Sequence, residues 1–394
     1  MRGRGEVQAP LRHLERDRVT WWAYAVLAAF AFVLNGFGPV VLEIRDELGL
    51  SRTVTGLHST AMAVGVLLSG VAGEALRRRG GWARVLWTGT GLLAAGVVGL
   101  GVFGTVALTL PSALLIGFGG TLLLTMVPGV LSAHHGPASG ALTSEAHSYA
   151  SLVGVVAPLT VGASLALFGA WLPAFALVTV VVLPLLAVRR PPLPEAPRAA
   201  EPADGAPGRL PGAYWRWWTA LLFGVAVEFS VLLWAADDAE ERLGLSSEVA
   251  PVAPAAFLLG MATSRGLGAK LLLGERTDRV FRAAAVFAAA AFLVWRASDA
   301  VPVALVGCVL IGLGTGLLYP SSLARAMAAA PALEALASTR SAIASGLAIG
   351  LGPLALGALA DAEGIATAVW IIPALLACAA AATAAAPRSS GTGS

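Results

Sequence analysis

Charge is what this sequence has least of. Only 12% of its 394 residues are Asp, Glu, Lys or Arg, about half the share of an ordinary soluble domain. A long chain so poor in charge cannot cover a wetted surface of normal polarity, which excludes a soluble globular protein. The scarcity is uneven. Residues 85–134 and 148–188 contain no Asp, Glu, Lys or Arg. A membrane-crossing helix needs about 20 apolar residues, so each run has room for two crossings and a turn.

Cysteine is nearly absent too. Cys308 and Cys378 fall in apolar stretches and read as small apolar residues, not as a disulfide or a metal site. HExxH, P-loop, zinc-ligand spacing and Gly-x-Ser-x-Gly are all missing, so no metal, no cofactor and no enzymatic activity are expected. No cleavable signal peptide is evident: the charged start, Met1 to Arg18, runs directly into a full-length apolar segment.

What is present is hydrophobic length, 57% of residues being apolar. Apolar segments separated by charge and Gly/Pro predict twelve helices, at 20–42, 54–76, 84–104, 108–132, 139–164, 170–188, 215–237, 248–266, 279–297, 302–326, 337–360 and 365–386. The fold class expected is therefore an all-α membrane protein of twelve transmembrane helices in two six-helix bundles. Its parts are an N-terminal segment 1–19, a first bundle 20–188, a linker 189–213, a second bundle 214–386 and a tail 387–394. The linker is rich in Pro, Ala and charge, a composition for a flexible polar connection.

Orientation follows from the basic residues. An even number of spans puts both termini on one side, and 22 of the 26 basic residues lie on that side. They cluster before helix 1 (Arg2, Arg4, Arg12, Arg16, Arg18), between helices 2 and 3 (Arg77, Arg78, Arg79, Arg84) and in the linker region (Arg189, Arg190, Arg198, Arg209, Arg216). Others flank helices 8 and 9 (Arg265, Lys270, Arg276, Arg279, Arg282), with Arg325, Arg340 and Arg388 completing the side. Only Arg45, Arg52, Arg242 and Arg296 lie opposite. Basic loops stay in the cytoplasm, so both termini are expected there, in a multi-pass inner (plasma) membrane protein. The net charge of +3 reflects this bias, and nucleic acid is not expected as a partner because no polar domain exists to carry it. Trp21, Trp22, Trp215, Trp217 and Trp218 sit at span ends as interfacial anchors.

The two halves repeat at a spacing of 195. Leu48-Gly49-Leu50-Ser51 recurs as Leu243-Gly244-Leu245-Ser246. Gly117 and Gly119 recur as Gly312 and Gly314. Pro158, Gly162 and Ala163 recur as Pro353, Gly357 and Ala358, and Gly73 and Arg84 as Gly268 and Arg279. Two similar bundles around one central site are what alternating access requires.

On these features the chain resembles the major facilitator superfamily over nearly its whole length. The best local marker is Gly73-Glu74-Ala75-Leu76-Arg77-Arg78-Arg79-Gly80, similar to the family's Gly-x-x-x-Asp-Arg-x-Gly loop, with Arg77 where the family has Asp. The resemblance implies a central cavity lined by helices 1, 4, 7 and 10. Similarity to the drug-antiporter branch is weak. Gly117-Phe118-Gly119 is present, but Ala113 stands where that branch has Arg, and its helix 5 signature is matched only by Gly154, Ala157-Pro158 and Gly162.

Glu228 is the sharpest candidate residue. It lies near the middle of helix 7, close to the bilayer midplane, where burying a carboxylate is costly, and it is expected to couple transport to protons. Glu145 is a second candidate for proton coupling. Asn35, His147, Tyr149, Trp234 and Tyr319 are candidates for the substrate cavity. Glu145 and His147, two residues apart on one helix, face nearly opposite sides. Repeat logic pairs position 145 with 340; the resemblance implies that helix 5 faces helix 8 and helix 11 faces helix 2 across the halves, which suggests Glu145–Arg265 and Arg340–Glu74 as cytoplasmic gate pairs, with Arg77 beside them. His58, near the outer interface, reads as a wetted histidine, with a second titrating group as the alternative; Glu43, Asp237 and Asp238 read as solvated helix ends, with a substrate-attracting vestibule as the alternative. Gly312-Leu313-Gly314-Thr315-Gly316 follows no strand, so it reads as small residues for helix contact, and Pro128, Pro158, Pro320 and Pro353 as bends.

The expected function is a secondary active transporter moving a small organic solute with protons, its direction open. The rivals are a proton-antiport exporter of drugs or metabolites, and a non-transporting sensor or membrane enzyme on the same scaffold. The expected partners are a small-molecule substrate, protons and the lipid bilayer, with the chain a monomer.

Overall fold

The structure is a computed structural model that describes residues 15–195, 209–268 and 277–384. The expectations on Arg2, Arg4, Arg12, Arg198, Lys270, Arg276 and Arg388, on most of the linker and on the tail lie outside the described residues.

Among the described residues the chain is helical, with no strand; with Arg52–Val102 divided at its kink and segments that follow one another directly taken together, the helices number twelve. The first half comprises α1 (Arg18–Leu48), α2 (52–79), α3 (82–102), α4 (Val106–His135), α5 (Ser139–Phe168) and α6 (Leu172–Val188). The second comprises α7 (Gly212–Leu243), α8 (Val252–Gly268), α9 (Thr277–Arg296), α10 (Val301–Ala328), α11 (Glu334–Glu363) and α12 (Ile365–Ala384). By length and composition seven stretches can cross a membrane, and two of them, Arg52–Val102 and Val106–Phe168, each hold two of these helices. The basic loop between α2 and α3 shrinks to Gly80-Gly81, with Gly81 at φ 61, a left-handed conformation that favours glycine. Exposed apolar side chains such as Leu152, Val156, Leu167, Val181, Val286 and Leu293 give the outside of the bundle a surface suited to lipid.

The repeat of 195 is visible atom by atom. A Cβ on Gly65 would sit 2.1 Å from the Leu114 carbonyl oxygen, and one on Gly260 2.0 Å from that of Val309. Gly117 approaches Met62 in the first half as Gly312 approaches Phe257 in the second, each at 2.0 Å from the carbonyl oxygen. Gly119 lies against Gly89 as Gly314 lies against Ala284. Each partner is 195 residues from its counterpart, so the two halves pack their helices through the same backbone contacts. The missing side chains let helices approach closely where lipid offers no hydrophobic drive to associate. The Leu-Gly-Leu-Ser repeat has an equally local cause. Gly49 and Gly244 end α1 and α7 in the left-handed conformation, at φ 62 and 67.

The halves meet through α1 against α7, α2 against α11 and α5 against α8. Turns after α1, α3, α5, α7, α9 and α11 define one end of the molecule, the far face. The described chain enters and leaves at the other end, the terminal face. Four glycines close the seam toward the far face. A Cβ would lie 2.3 Å from Leu232 O at Gly38, 2.2 Å from Glu248 O at Gly162 and 2.5 Å from Arg52 O at Gly357. At Gly56 it would lie 2.8 Å from the Leu354 Cα. At the terminal end Trp22 and Trp217 turn inward instead of lying at an interface. Trp22 donates to Leu186 O and Trp217 packs on Phe281, while Trp21 and Trp215 stay exposed.

Candidate functional site: a cleft between the halves

A cleft of about 140 Å³, open to solvent, lies between the halves. Helices α1, α4 and α5 supply one wall and α8 the other. Its polar lining is Asn35, His147, Ser151 and Arg265; the rest is apolar, including Phe30, Leu34, Leu258 and Met261.

Glu228 lies beside this cleft but is not isolated. The Arg265 Nη2 donates to both of its carboxylate oxygens, at 3.2 and 3.1 Å, so it is not a lone acid in an apolar helix. The side chain of Glu228 is 14% exposed and that of Arg265 35%. Arg265 comes from the inner end of α8, where it turns inward across its own half to α7. Its Nε reaches the Gly316 carbonyl at 3.4 Å, where α10 is interrupted. Tyr319, just past that interruption and before Pro320, feels the charges of both Glu228 and Arg265. One acid, one base and one hydroxyl from three helices of the second half therefore gather around Arg265, which alone of the three lines the cleft; Tyr319, expected in the cavity, does not line it.

The other candidate residues divide. Asn35 and His147 line the cleft; Asn35 donates to Ala31 O at 2.8 Å, and His147 Nδ1 lies 2.9 Å from Thr143 O. Tyr149 does not line it. Its ring packs on Trp21 and Tyr24 at the terminal end of α1. Trp234 does not line it either: it is 1% exposed and donates to Pro353 O at 2.9 Å, packing α7 against α11.

Neither expected gate pair is made. Glu145 is held by Arg16 at 2.8 Å and by the Tyr24 hydroxyl at 3.2 Å, while Arg265 belongs to Glu228. Glu74 is taken by its helix neighbours Arg77 and Arg78, at 2.7 and 3.0 Å, and Arg340 is exposed. Among the described residues Glu145 makes no hydrogen bond or ion pair with Glu228 or Arg265.

The far face carries the largest departure. Asp237 and Asp238 are not solvated helix ends: they are 1% and 0% exposed. Asp237 is gripped by Arg45 of α1 and by Arg52 of α2, the latter at 2.7 Å, and Arg52 also reaches Glu241 at 2.5 Å. Asp238 is held by Arg242 at 3.0 Å and Arg296 at 2.6 Å. The four basic residues on the unexpected side of the membrane are therefore these four partners. Asp361 of α11 accepts from the backbone N–H groups of Arg52 and Thr53, both at 2.8 Å, and so caps α2 from the opposite half. His58 is fully buried rather than wetted, 3.0 Å from the Thr109 hydroxyl.

Among the described residues, Asp17, His134 and His135 form a group compact enough to hold a metal ion, their ligand atoms within 4.8 Å of one another. They are already satisfied as a surface contact. Asp17 lies 2.6 Å from His134 Nε2 and caps α1 through Thr20 N. Burial alone would raise the Asp17 carboxyl, but hydrogen bonds from His134 and Thr20 hold it well below the usual carboxylate range.

Two six-helix halves in contact-level register, enclosing a cleft shut on one side, agree with the sequence profile of the Major Facilitator Superfamily, which matches residues 20–342. The chain belongs to that superfamily. It is a membrane transporter by family and not an enzyme. Solved structures give the same fold. A D-xylose–proton symporter superposes with a TM-score of 0.72 at 17% identity, covering 93% of this chain and 96% of its own. A bacterial homologue of the human lysosomal transporter Spinster, in an inward-facing and occupied conformation, gives 0.67 at 16%, covering 94% and 92%. The human organic anion transporter MFSD10 gives 0.66 at 16%, covering 93% and 99%. No curated protein sequence matches this superfamily member significantly.

Proposed function

We propose that this protein is a secondary active transporter that moves a small organic solute across a plasma membrane by alternating access, coupled to protons through Glu228. Its terminal face lies in the cytoplasm, where the basic residues cluster. The observation that carries the reading is the pairing of Glu228 with Arg265 on the wall of a cleft between the halves. An ionisable pair at mid-membrane depth is costly and is kept where it acts on an ion or substrate pathway. A proton on Glu228 frees Arg265, and the freed cation must find another partner or shift the packing of α7, α8 and α10. That differential interaction lets protonation bias the two bundles between their end states. A proton symporter among the proteins of similar fold accords with this coupling.

A thermal-shift screen of metabolites and drugs identifies a ligand, since one that binds only the folded chain raises its melting temperature. In proteoliposomes with that ligand, Glu228→Gln is expected to abolish accumulation driven by a pH gradient and to retain exchange between the two sides. A mutant that still concentrates the ligand at the wild-type rate removes Glu228 from coupling.

A further inference from the structure

We infer that the cleft takes a small organic anion, a carboxylate on an apolar or aromatic body, whose charged head replaces the Glu228 carboxylate as the partner of Arg265. This rests on the reading of the cleft as the transport site, and it names the substrate class.

The lining sets the chemistry. Arg265 is the only permanently charged side chain lining the cleft among the described residues, and most of the remaining wall is apolar. A ligand that fits has one charged group and an apolar body, and its charge is opposite to that of arginine.

The guanidinium is only partly used. A single nitrogen, Nη2, serves both oxygens of Glu228, the Nε contact is long at 3.4 Å, and Nη1 has no hydrogen-bond partner among the described residues. A guanidinium binds a carboxylate best through two parallel N–H···O bonds. Arg265 is also the more exposed member of the pair. An incoming carboxylate can therefore engage Nη1, which Glu228 leaves open, and take over Nη2 as Glu228 releases it.

Charge balance makes the exchange conditional. With Glu228 ionised and the cleft empty, the pair is neutral. An anion added to that state puts two carboxylates on one arginine, and they repel. With Glu228 protonated, Arg265 is unpaired, which is costly away from bulk water, and an anion restores neutrality. Proton and anion therefore load together and leave together. A cation gains nothing, because it meets Arg265 first.

The other groups around Glu228 do not compete for this role. Tyr319 faces it from α10, and His147 lies on the first-half wall from α5. The charged residues of α1 after its Asn35, namely Glu43, Arg45, Asp46 and Glu47, lie at its far end. Those of α11, Glu334, Arg340, Asp361 and Glu363, lie at its two ends, and α12 carries no charged residue.

The test uses the purified full chain with benzoate, phenylacetate and indole-3-acetate as probes, and benzamide and benzylamine as neutral and cationic counterparts, in calorimetry across a pH series. At least one carboxylate is expected to bind, weakening about tenfold per pH unit once Glu228 is ionised, while benzamide and benzylamine do not bind. Glu228→Gln is expected to bind the carboxylate with no such pH dependence. Arg265→Gln should weaken binding at least about tenfold, and His147→Gln should leave the pH dependence in place. Arg265→Gln strands an acid, so the double variant Glu228→Gln/Arg265→Gln, with neither charge, is made beside it; it is expected to melt near the wild type and not to bind. Equal binding of the amide or the amine, a carboxylate affinity independent of pH in the wild type, or no binding by any of the three carboxylates overturns the proposal. Vesicles separate the two readings. Binding in the expected pattern without accumulation under a pH gradient leaves the anion site standing and removes proton-coupled transport. Glu228-dependent accumulation of the amide or the amine keeps coupling and removes the anion site.

Discussion

Arg52, the first residue of α2, holds Asp237 near the end of α7 at 2.7 Å, and the two residues belong to opposite halves. Asp237 is 2% exposed at its side chain, while Arg45 and Arg52, its two cations, are 12% and 22% exposed. All three leave bulk water only while the far face is shut. Removing the acid takes the central partner from two poorly solvated cations, while Arg45 keeps Asp46 and Arg52 keeps Glu241, so the loss is about 2 kcal/mol, that of a charged hydrogen bond, rather than that of a fully stripped buried pair. In Asp237→Asn that cost falls on the closed form alone, so the far face should open more often, by about thirtyfold. Leu233 supplies a reporter, since it is 2% exposed and sits in the seam against Gly38. On a Cys378→Ser background, Leu233→Cys should react with an impermeant thiol reagent much faster in Asp237→Asn than in the wild type. Equal rates would show that the pair does not close the far face.

Gly38 closes the same seam by steric means. A side chain there would begin 2.3 Å from the Leu232 carbonyl oxygen, far inside contact distance, with backbone as the obstacle. Gly38→Val leaves the contacts inside each half untouched, so the variant should fold and melt near the wild type. It should nonetheless fail to shut its far face, label strongly at Leu233→Cys and lose transport. Normal transport by this variant would mean that the halves do not meet closely at Gly38 in the working cycle.

Asp361 is a weaker latch on the same face. It caps α2 through the N–H groups of Arg52 and Thr53 and accepts the Thr53 hydroxyl at 2.5 Å, all across the interface. Loss of a cap costs about 1 kcal/mol, so Asp361→Ala should raise far-face labelling only about fivefold. An effect as large as that of Asp237→Asn would assign Asp361 more than capping.

Much of this architecture is legible in the sequence because the forces that set it are local. A bilayer demands apolar length, and close helix contact demands glycine at fixed places, so Gly65, Gly117 and Gly119 and their counterparts at 260, 312 and 314 mark the packing before any coordinates. Glu228 stands out because an ionisable group in an apolar helix needs a reason. Its partner is harder to read. Arg265 at the inner end of α8 can snorkel to the surface or fold inward, and only the rotation of α8 against α7 decides. Trp234 and Tyr149 fail as cavity residues for the same reason. The far-face lock also has a signal in the sequence. Arg45, Arg52, Arg242 and Arg296 break the positive-inside pattern, and four cations on the unfavoured side call for acids to hold them, which Asp237 and Asp238 are.

Asp238 makes the sharpest contrast with its neighbour. It is as deeply buried as Asp237 and likewise bound by two arginines, yet Arg242 and Arg296 both lie in its own half. Arg242 further donates to the Trp295 and Ser298 carbonyls, tying the end of α7 to the end of α9. These bonds do not cross the seam, so they persist whichever face is open. Asp238→Asn should therefore leave the balance between the two faces unchanged and destabilise the second half by roughly 3–5 kcal/mol. The expected readings are a lower melting temperature and a wild-type labelling rate at Leu233→Cys. Adjacent acids thus separate gating from folding. If Asp238→Asn changes labelling and Asp237→Asn changes only stability, the assignment of the far-face lock to Asp237 is reversed.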